Sequence, residues 1–253
     1  VMKCITITGN EIHSCVAGSI SCASSDVANI KDNVTDGLIQ TDSRDAAEPL
    51  TNCVISGNKC ASLTIFRADN ALVVENTAAS ISIVSDTASL KGNTFTAQEA
   101  GNFNSKVLVM AGNKFTYNGL VAASAISLQA CDDVQSNSFI FPNATASYPL
   151  DVIFNSATPT NGAFINNEIT AVNSPRPVRV GGSNSTISGN RIYGNGAVDF
   201  SFGIYADNCV ISGNVINAGI IRLEAGSSSN IVNGNAAKVT DSGTSNLVSN
   251  NRP

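Results

Sequence analysis

The chain has 253 residues, of which 13% are charged and 6% are aromatic, and it contains no tryptophan. Its net charge of −5 at pH 7 argues against a nucleic-acid partner, because affinity for phosphates depends on clustered lysine and arginine. Every apolar run is far shorter than the roughly 20 residues of a membrane-spanning helix, so we expect no membrane partner.

One phrase recurs along the chain: an apolar residue, any residue, a small residue or glycine, asparagine, any residue, and a second apolar residue. Clear copies begin at Ile7, Leu90, Ile187 and Ile211. The spacing between copies averages about 22 residues, and the position three residues before the asparagine is apolar in every copy. The asparagines that anchor the phrase are Asn10, Asn33, Asn58, Asn76, Asn93, Asn113, Asn137, Asn167, Asn190, Asn214, Asn235 and Asn251.

Apolar and polar residues alternate on both sides of each Gly-Asn step, which predicts two short strands joined by a tight corner. Glycine permits a positive φ and asparagine tolerates the left-handed region, so together they suit the corner. We expect the corners to stack about 4.8 Å apart, with each asparagine amide bonded to the asparagines above and below. Phe95, Phe115 and Phe139 should form an interior stack in the same way.

A third strand is predicted before the corner strands in several copies. In chain order these segments are 64–67, 125–129, 150–152, 178–180, 204–207 and 221–224. Leucine is scarce, and the segments between anchors favour strands over helices, which disfavours the leucine-rich repeat as an alternative. We therefore predict an all-β fold: a single-stranded right-handed parallel β-helix, or solenoid, of about 11–12 coils with an asparagine ladder.

We expect residues 1–253 to form a single β-helix domain. The repeat begins at Ile7 and runs to Pro253, which predicts a segment of a longer chain. The seven cysteines show neither Cys-x-x-Cys nor a Cys/His ligand pattern. They are predicted to be buried free thiols, and we expect no metal and no cofactor.

The repeated Ile-Ser-Gly-Asn phrases, such as those starting at Ile55, Ile187 and Ile211, resemble the pectate-lyase-like superfamily of right-handed parallel β-helices. Within it the chain looks most similar to the phage tailspike and capsule-depolymerase type. The resemblance spans almost the whole chain but carries no catalytic signature. It implies a homotrimer in a virion tail, folded in the host cytoplasm, whose flanks bind or cleave a bacterial surface polysaccharide. An extracellular protein is the alternative.

Alternation along the third strands places a set of polar side chains on the outside. We expect four of them on consecutive rungs, with two carboxylates two residues further along their strands. The four are Asp151, Arg179, Tyr205 and Arg222, and the two carboxylates are Asp207 and Glu224. Arginine forks bind carboxylates, tyrosine offers a ring face and a hydroxyl, and carboxylates accept sugar hydroxyls. The stripe therefore suits a glycan.

Asp207 and Glu224 are predicted to occupy equivalent positions on adjacent coils. Their backbones would then lie about 4.8 Å apart, near the roughly 5 to 5.5 Å carboxyl separation of retaining glycosidases. One would act as the acid while the other attacks the sugar or stabilises charge. A lyase acting on a uronate would instead use Arg179 or Arg222 to neutralise the substrate carboxylate, with Tyr205 or an arginine as base.

Two functions follow from these patterns. The first is a polysaccharide-binding and polysaccharide-degrading protein, a glycoside hydrolase or polysaccharide lyase. The second is a non-catalytic shaft or adhesin, in which the stripe contacts a glycan or a neighbouring protomer. The stripe could also consist of ordinary exposed polar residues. The long step between Asn137 and Asn167 contains loops, 142–149 and 156–161, that could wall a groove beside Asp151.

Overall fold

The computed structural model describes residues 4–15, 19–23, 26–42, 50–97, 101–119, 125–145, 148–154, 162–194 and 202–252. Within these ranges the chain is all-β, and no helix there is long and apolar enough to cross a membrane. The strands are β1 (Cys4–Thr8), β2 (Glu11–Ile12), β3 (Ile20–Ala23), β4 (Val27–Lys31), β5 (Val34–Thr35), β6 (Leu38–Asp42), β7 (Leu50–Ser56), β8 (Lys59–Val74), β9 (Thr77–Lys91), β10 (Thr94–Ala97), β11 (Gly101–Ala111), β12 (Lys114–Tyr117), β13 (Ile126–Gln135), β14 (Ser138–Ile140), β15 (Leu150–Phe154), β16 (Ala163–Ile165), β17 (Glu168–Thr170), β18 (Val178–Ser183), β19 (Thr186–Ser188), β20 (Arg191–Tyr193), β21 (Phe202–Asp207), β22 (Val210–Ser212), β23 (Val215–Leu223), β24 (Ile231–Asn233), β25 (Ala236–Asp241) and β26 (Leu247–Ser249).

The described strands stack in parallel rungs. Each strand pairs with its counterpart one repeat later, as β16 does with β19, β19 with β22, and β22 with β24. The predicted third strands are also present, because β15 pairs with β18 and β18 pairs with β21. The all-β prediction and the parallel stacking are confirmed, and the architecture is compatible with a parallel β-helix.

The apolar residues three positions before the asparagines form one column along the stack. Every step of this column is a register pair, from Ile7 with Ile30 to Val232 with Val248. From Ile30 to Val232 these side chains are buried. Each fully buried aliphatic side chain contributes about 1.5–3 kcal/mol, so the column forms a large part of the core.

A second interior column follows the asparagines. The Phe95 and Phe115 rings lie 5.1 Å apart at 30°, and the Phe115 and Phe139 rings lie 5.3 Å apart at 8°. The predicted phenylalanine stack is therefore confirmed. The column continues beyond Phe139 with aliphatic residues, Ile169, Ile192 and Ile216, in register on the next rungs.

All twelve anchor asparagines form one continuous ladder. Eleven successive bonds join the side-chain Nδ2 of one asparagine to the Oδ1 of the next, at 2.8–3.1 Å. Each Oδ1 also accepts the backbone N–H of the preceding asparagine, at 2.9–3.0 Å. The predicted asparagine ladder is confirmed along its whole length.

Asn137 shows how completely each rung of the ladder is bonded. Its Oδ1 accepts the backbone N–H and the Nδ2 of Asn113, both at 2.9 Å. Its own Nδ2 donates to the Met110 carbonyl at 3.1 Å and to Asn167 Oδ1 at 3.1 Å. Both lone pairs of the oxygen and both amide hydrogens therefore have partners, although Asn137 is 1% exposed.

The left-handed residue at each corner is the one before the asparagine. Glycine holds this position in seven copies, and non-glycine residues such as Asp32, Glu75 and Ser136 adopt φ values of 54° to 55° there. None of the twelve anchor asparagines has a positive φ. The expectation that the anchor asparagine shares the left-handed conformation is therefore wrong, because the residue before it makes the corner.

A second, shorter ladder lies on another edge of the stack, and the sequence did not predict it. Asn230 Nδ2 donates to Asn246 Oδ1 at 3.0 Å, and the Cys209 N–H donates to Asn230 Oδ1 at 3.0 Å. The Ser185 N–H donates to Cys209 Sγ at 3.4 Å. Left-handed residues again precede each member, at Asn184, Asn208, Ser229 and Ser245.

All seven cysteines are free thiols. Five of them are buried, as predicted, whereas Cys4 is exposed and Cys15 is partly exposed. Burial raises the pKa of Cys53 to about 11 and that of Cys60 to about 12. These two thiols therefore stay protonated at neutral pH and pack as small apolar side chains.

Replacement of one ladder asparagine tests this architecture. Asn137→Ala removes one buried hydrogen bond each from the Asn113 backbone N–H, Asn113 Nδ2, the Met110 carbonyl and Asn167 Oδ1. We expect the free energy of unfolding in urea to fall by at least about 3 kcal/mol, since each unpaired buried polar group costs about 1–3 kcal/mol. The control is Asn70→Ala, which removes an exposed asparagine on β8 and should cost less than about 1 kcal/mol. Equal effects of the two changes would contradict the ladder's role.

Candidate functional site

The observed register places Asp151, Arg179 and Arg222 in one outward column. Asp151 pairs with Arg179, Arg179 with Gly203, and Gly203 with Arg222. Tyr205 lies on the rung between those of Arg179 and Arg222, as predicted, but it does not align with them in this column. It pairs with Gly181 and so stands in the neighbouring column, two residues further along the strand.

The error in register has a simple physical cause. Phe202 and Ile204 are both buried and both point inward, so alternation along β21 is satisfied equally well by either of them opposite Val178. The structure pairs Val178 with Phe202, which shifts every later residue of β21 by two positions. A shift of two residues keeps Tyr205 on the outer face but places it opposite Gly181 instead of Arg179.

Asp151 and Arg179 form a bidentate ion pair across adjacent rungs. The Arg179 Nε donates to Asp151 Oδ1 at 2.8 Å, and Nη2 donates to Oδ2. The Asp151 side chain is only 5% exposed, whereas that of Arg179 is 35% exposed. The hydrogen bond to the Asp151 carboxylate raises the pKa of Arg179, so the guanidinium remains charged.

Two tyrosines flank this guanidinium. The Arg179 Cζ atom lies 5.0 Å from the centre of the Tyr148 ring and 5.8 Å from the centre of the Tyr205 ring. The two hydroxyls are 3.1 Å apart. Burial and the hydrogen bond with Tyr148 raise the pKa of Tyr205. We call Tyr148, Asp151, Arg179 and Tyr205 the tyrosine–arginine cluster.

Tyr148 is the site residue that the sequence did not identify. It belongs to the long step between Asn137 and Asn167, has a φ of 59°, and donates its N–H to the Arg176 carbonyl. The sequence pointed to this residue only indirectly, through the prediction that loop 142–149 walls a groove beside Asp151. Loop 156–161, the second predicted wall, lies outside the described residues.

The two predicted catalytic carboxylates do not occupy equivalent positions. Leu223 pairs with Ile204, so Glu224 follows opposite Tyr205, and Asp207 lies two residues further along its strand. Asp207 instead bridges to Ser228, whose N–H and hydroxyl both donate to Asp207 Oδ1, at 2.6 and 2.8 Å. The two-residue slip of β21 causes this offset, because Arg222 lies opposite Gly203 and not opposite Tyr205.

Glu224 forms the second ion pair of the region. Its Oε1 lies 3.3 Å from Arg222 Nε, and its side chain is 11% exposed. Both carboxylates that the sequence predicted to be catalytic therefore have partners within the protein, Ser228 for Asp207 and Arg222 for Glu224. Whether they take part in catalysis stays a prediction.

The flank can offer a ligand ring faces, hydroxyls and guanidinium N–H groups. Tyr205 is 41% exposed, which leaves part of its ring accessible to solvent. Among the residues that the structure describes, no group of three or more histidine, cysteine, aspartate or glutamate side chains could hold a metal ion. The chemistry visible here is that of recognition by hydrogen bonds and ring contacts.

Comparison with known proteins adds no relative. No protein-family model matches the chain, no curated protein matches it, and no solved structure matches it. The resemblance to pectate-lyase-like proteins of the tailspike type therefore rests on the repeated phrases alone.

Replacement of Arg179 tests how far the stability of the protein depends on the ion pair of the buried Asp151 carboxylate. Arg179→Met leaves a nearly buried carboxylate without its bidentate partner, and we expect the free energy of unfolding to fall by about 3 kcal/mol. The matched control is Lys106→Met, which breaks the exposed Lys106–Asp86 pair and should cost less than about 1 kcal/mol. Urea unfolding of both variants measures the difference. An Arg179→Met variant as stable as the unchanged protein would show that the pair is not a structural unit.

Proposed function

We propose that the chain is a right-handed parallel β-helix of the phage tailspike type. We further propose that the flank carrying its tyrosine–arginine cluster binds a polysaccharide. The parallel pairing supports the handedness, because crossover connections between parallel strands are right-handed in nearly all proteins. The twelve-membered asparagine ladder supports the proposed 11–12 coils. The proposed partner is a bacterial surface glycan, and the proposed assembly is a homotrimer in a virion tail.

The observation that carries the binding proposal is the contact of Arg179 with two tyrosine rings on one outer face. A sugar presents apolar ring faces together with hydroxyls. Aromatic side chains match the faces, while guanidinium and phenol groups match the hydroxyls. The ion pair with Asp151 holds the guanidinium in place, so little side-chain freedom remains to be lost when a glycan binds.

Cleavage of the glycan has weaker support than binding. Asp207 and Glu224 lie at non-equivalent positions and are engaged with Ser228 and Arg222, respectively. The raised pKa of Tyr205 keeps its phenol protonated, which disfavours it as the base of a lyase. Hydrolysis by Asp207 and Glu224 is therefore proposed only as an activity to test alongside binding.

A binding experiment with bacterial surface polysaccharides tests the proposal. We expect the protein to bind at least one of them and the change Tyr205→Ala to weaken that binding at least tenfold, since it removes an exposed ring face. The control is Tyr193→Ala, which removes a partly exposed tyrosine on β20, outside the cluster. Immobilised glycans and interferometry would give the dissociation constants.

The same glycans should be assayed for new reducing ends and for the ultraviolet absorbance of an unsaturated lyase product. Reducing ends that persist in both Asp207→Asn and Glu224→Gln would remove the proposed catalytic pair. Binding to none of the glycans, or equal binding by the Tyr205→Ala variant, would contradict the binding proposal. Binding to none of the glycans would also favour a non-catalytic shaft.

A further inference from the structure

We propose that the polysaccharide bound by this flank is neutral, without carboxylate groups at the tyrosine–arginine cluster. This inference rests on the proposed function. It concerns the class of glycan, and it follows from how the two arginines of the flank are engaged.

The outward column contains two cations, and each already has an anion. Arg179 is paired with Asp151 through two parallel N–H bonds, and Arg222 is paired with Glu224. Asp151, Arg179 and Arg222 of this column and Glu224 of the neighbouring one together carry two positive and two negative charges, so their net charge is zero. A carboxylate-bearing sugar would therefore find no excess positive charge on these four residues to compensate for the hydration that it loses on binding.

The geometry of the Arg179 pair adds a second obstacle to an acidic sugar. Arginine recognises a carboxylate through its fork of two parallel donors, and in Arg179 the Nε and Nη2 donors already bind Asp151. A glycan carboxylate that took this fork would leave the Asp151 carboxylate unpaired at 5% exposure. A guanidinium has five N–H groups, so the pair is compatible with donation from the other three to uncharged hydroxyls.

On the described strands of this flank a further cation, Lys238 on β25, stands opposite Ile220, three rungs from Arg179. Arg176, whose carbonyl accepts the Tyr148 N–H, has interactions of its own. The segments that adjoin Tyr148, β15 and β21 in the sequence and that the structure does not describe, 146–147, 155–161 and 195–201, contain no lysine, arginine or histidine. The net charge of −5 over the whole chain further disfavours the approach of a polyanion.

A matched set of glycans separates this inference from the binding proposal. Acidic surface polysaccharides are compared with the same polysaccharides after chemical reduction of their carboxyl groups to alcohols, alongside naturally neutral ones. We expect the protein to bind neutral glycans, and to bind a reduced form at least as tightly as its acidic parent. The inference is overturned if the tightest ligand is acidic and its affinity falls tenfold or more when its carboxyl groups are reduced. That result would leave the binding proposal intact. Binding to no glycan of either class would overturn both.

Two variants test the cause. Asp151→Asn removes the anion that occupies Arg179, and Glu224→Gln does the same for Arg222, which keeps the test usable if the first variant folds poorly. Each should raise affinity for the acidic polysaccharides about tenfold, because each removes a carboxylate that competes with the glycan for an arginine. The control Asp86→Asn removes the anion of the exposed Lys106–Asp86 pair on a different part of the stack and should change nothing. Unchanged affinity in both test variants would show that charge pairing does not set the glycan class.

Discussion

The structure depends on the complete hydrogen bonding of the ten corner asparagines that are buried, from Asn33 to Asn235. Every rung must turn sharply and still cover the backbone polar groups of the rung beside it. The asparagine amide does this by accepting two bonds from one neighbouring rung and donating to the other neighbour and to a carbonyl. Because an unpaired group at this depth is costly, only an in-register stack satisfies all ten buried corners together.

That constraint carries through to the outer surface. Once the corners are in register, the residues before and after them fall into columns, inward ones forming the core and outward ones forming stripes. Asp151 and Arg179 meet as an ion pair because they occupy one such column, and the Arg179 guanidinium reaches Tyr205 in the next column. The proposed glycan site is thus built on rigid strands, with one tyrosine, Tyr148, added by a loop.

The ladder was predictable because its signal is local and repeated: an asparagine with an apolar residue three positions before it. The outer site was only partly predictable. Strand alternation put Asp151, Arg179 and Arg222 on one face, but it cannot detect a two-residue slip, which is why Tyr205 and the Asp207–Glu224 pair were misplaced. Tyr148 lies in an irregular loop with a left-handed backbone, where periodicity carries no information. The second, shorter ladder was not predicted because serine, cysteine and asparagine all occupy its positions, so no single residue type repeats.

Hydrogen exchange of the backbone amides of the ladder asparagines, followed by nuclear magnetic resonance, tests the central claim most directly. Each of these N–H groups, from Asn10 to Asn235, is bonded to the side-chain oxygen of the next asparagine. In the interior of the stack, at Asn58 to Asn190, we predict exchange as slow as in the central strands, limited by opening of the whole stack. Exchange there at the rate of an unprotected chain would contradict the ladder and the column register derived from it.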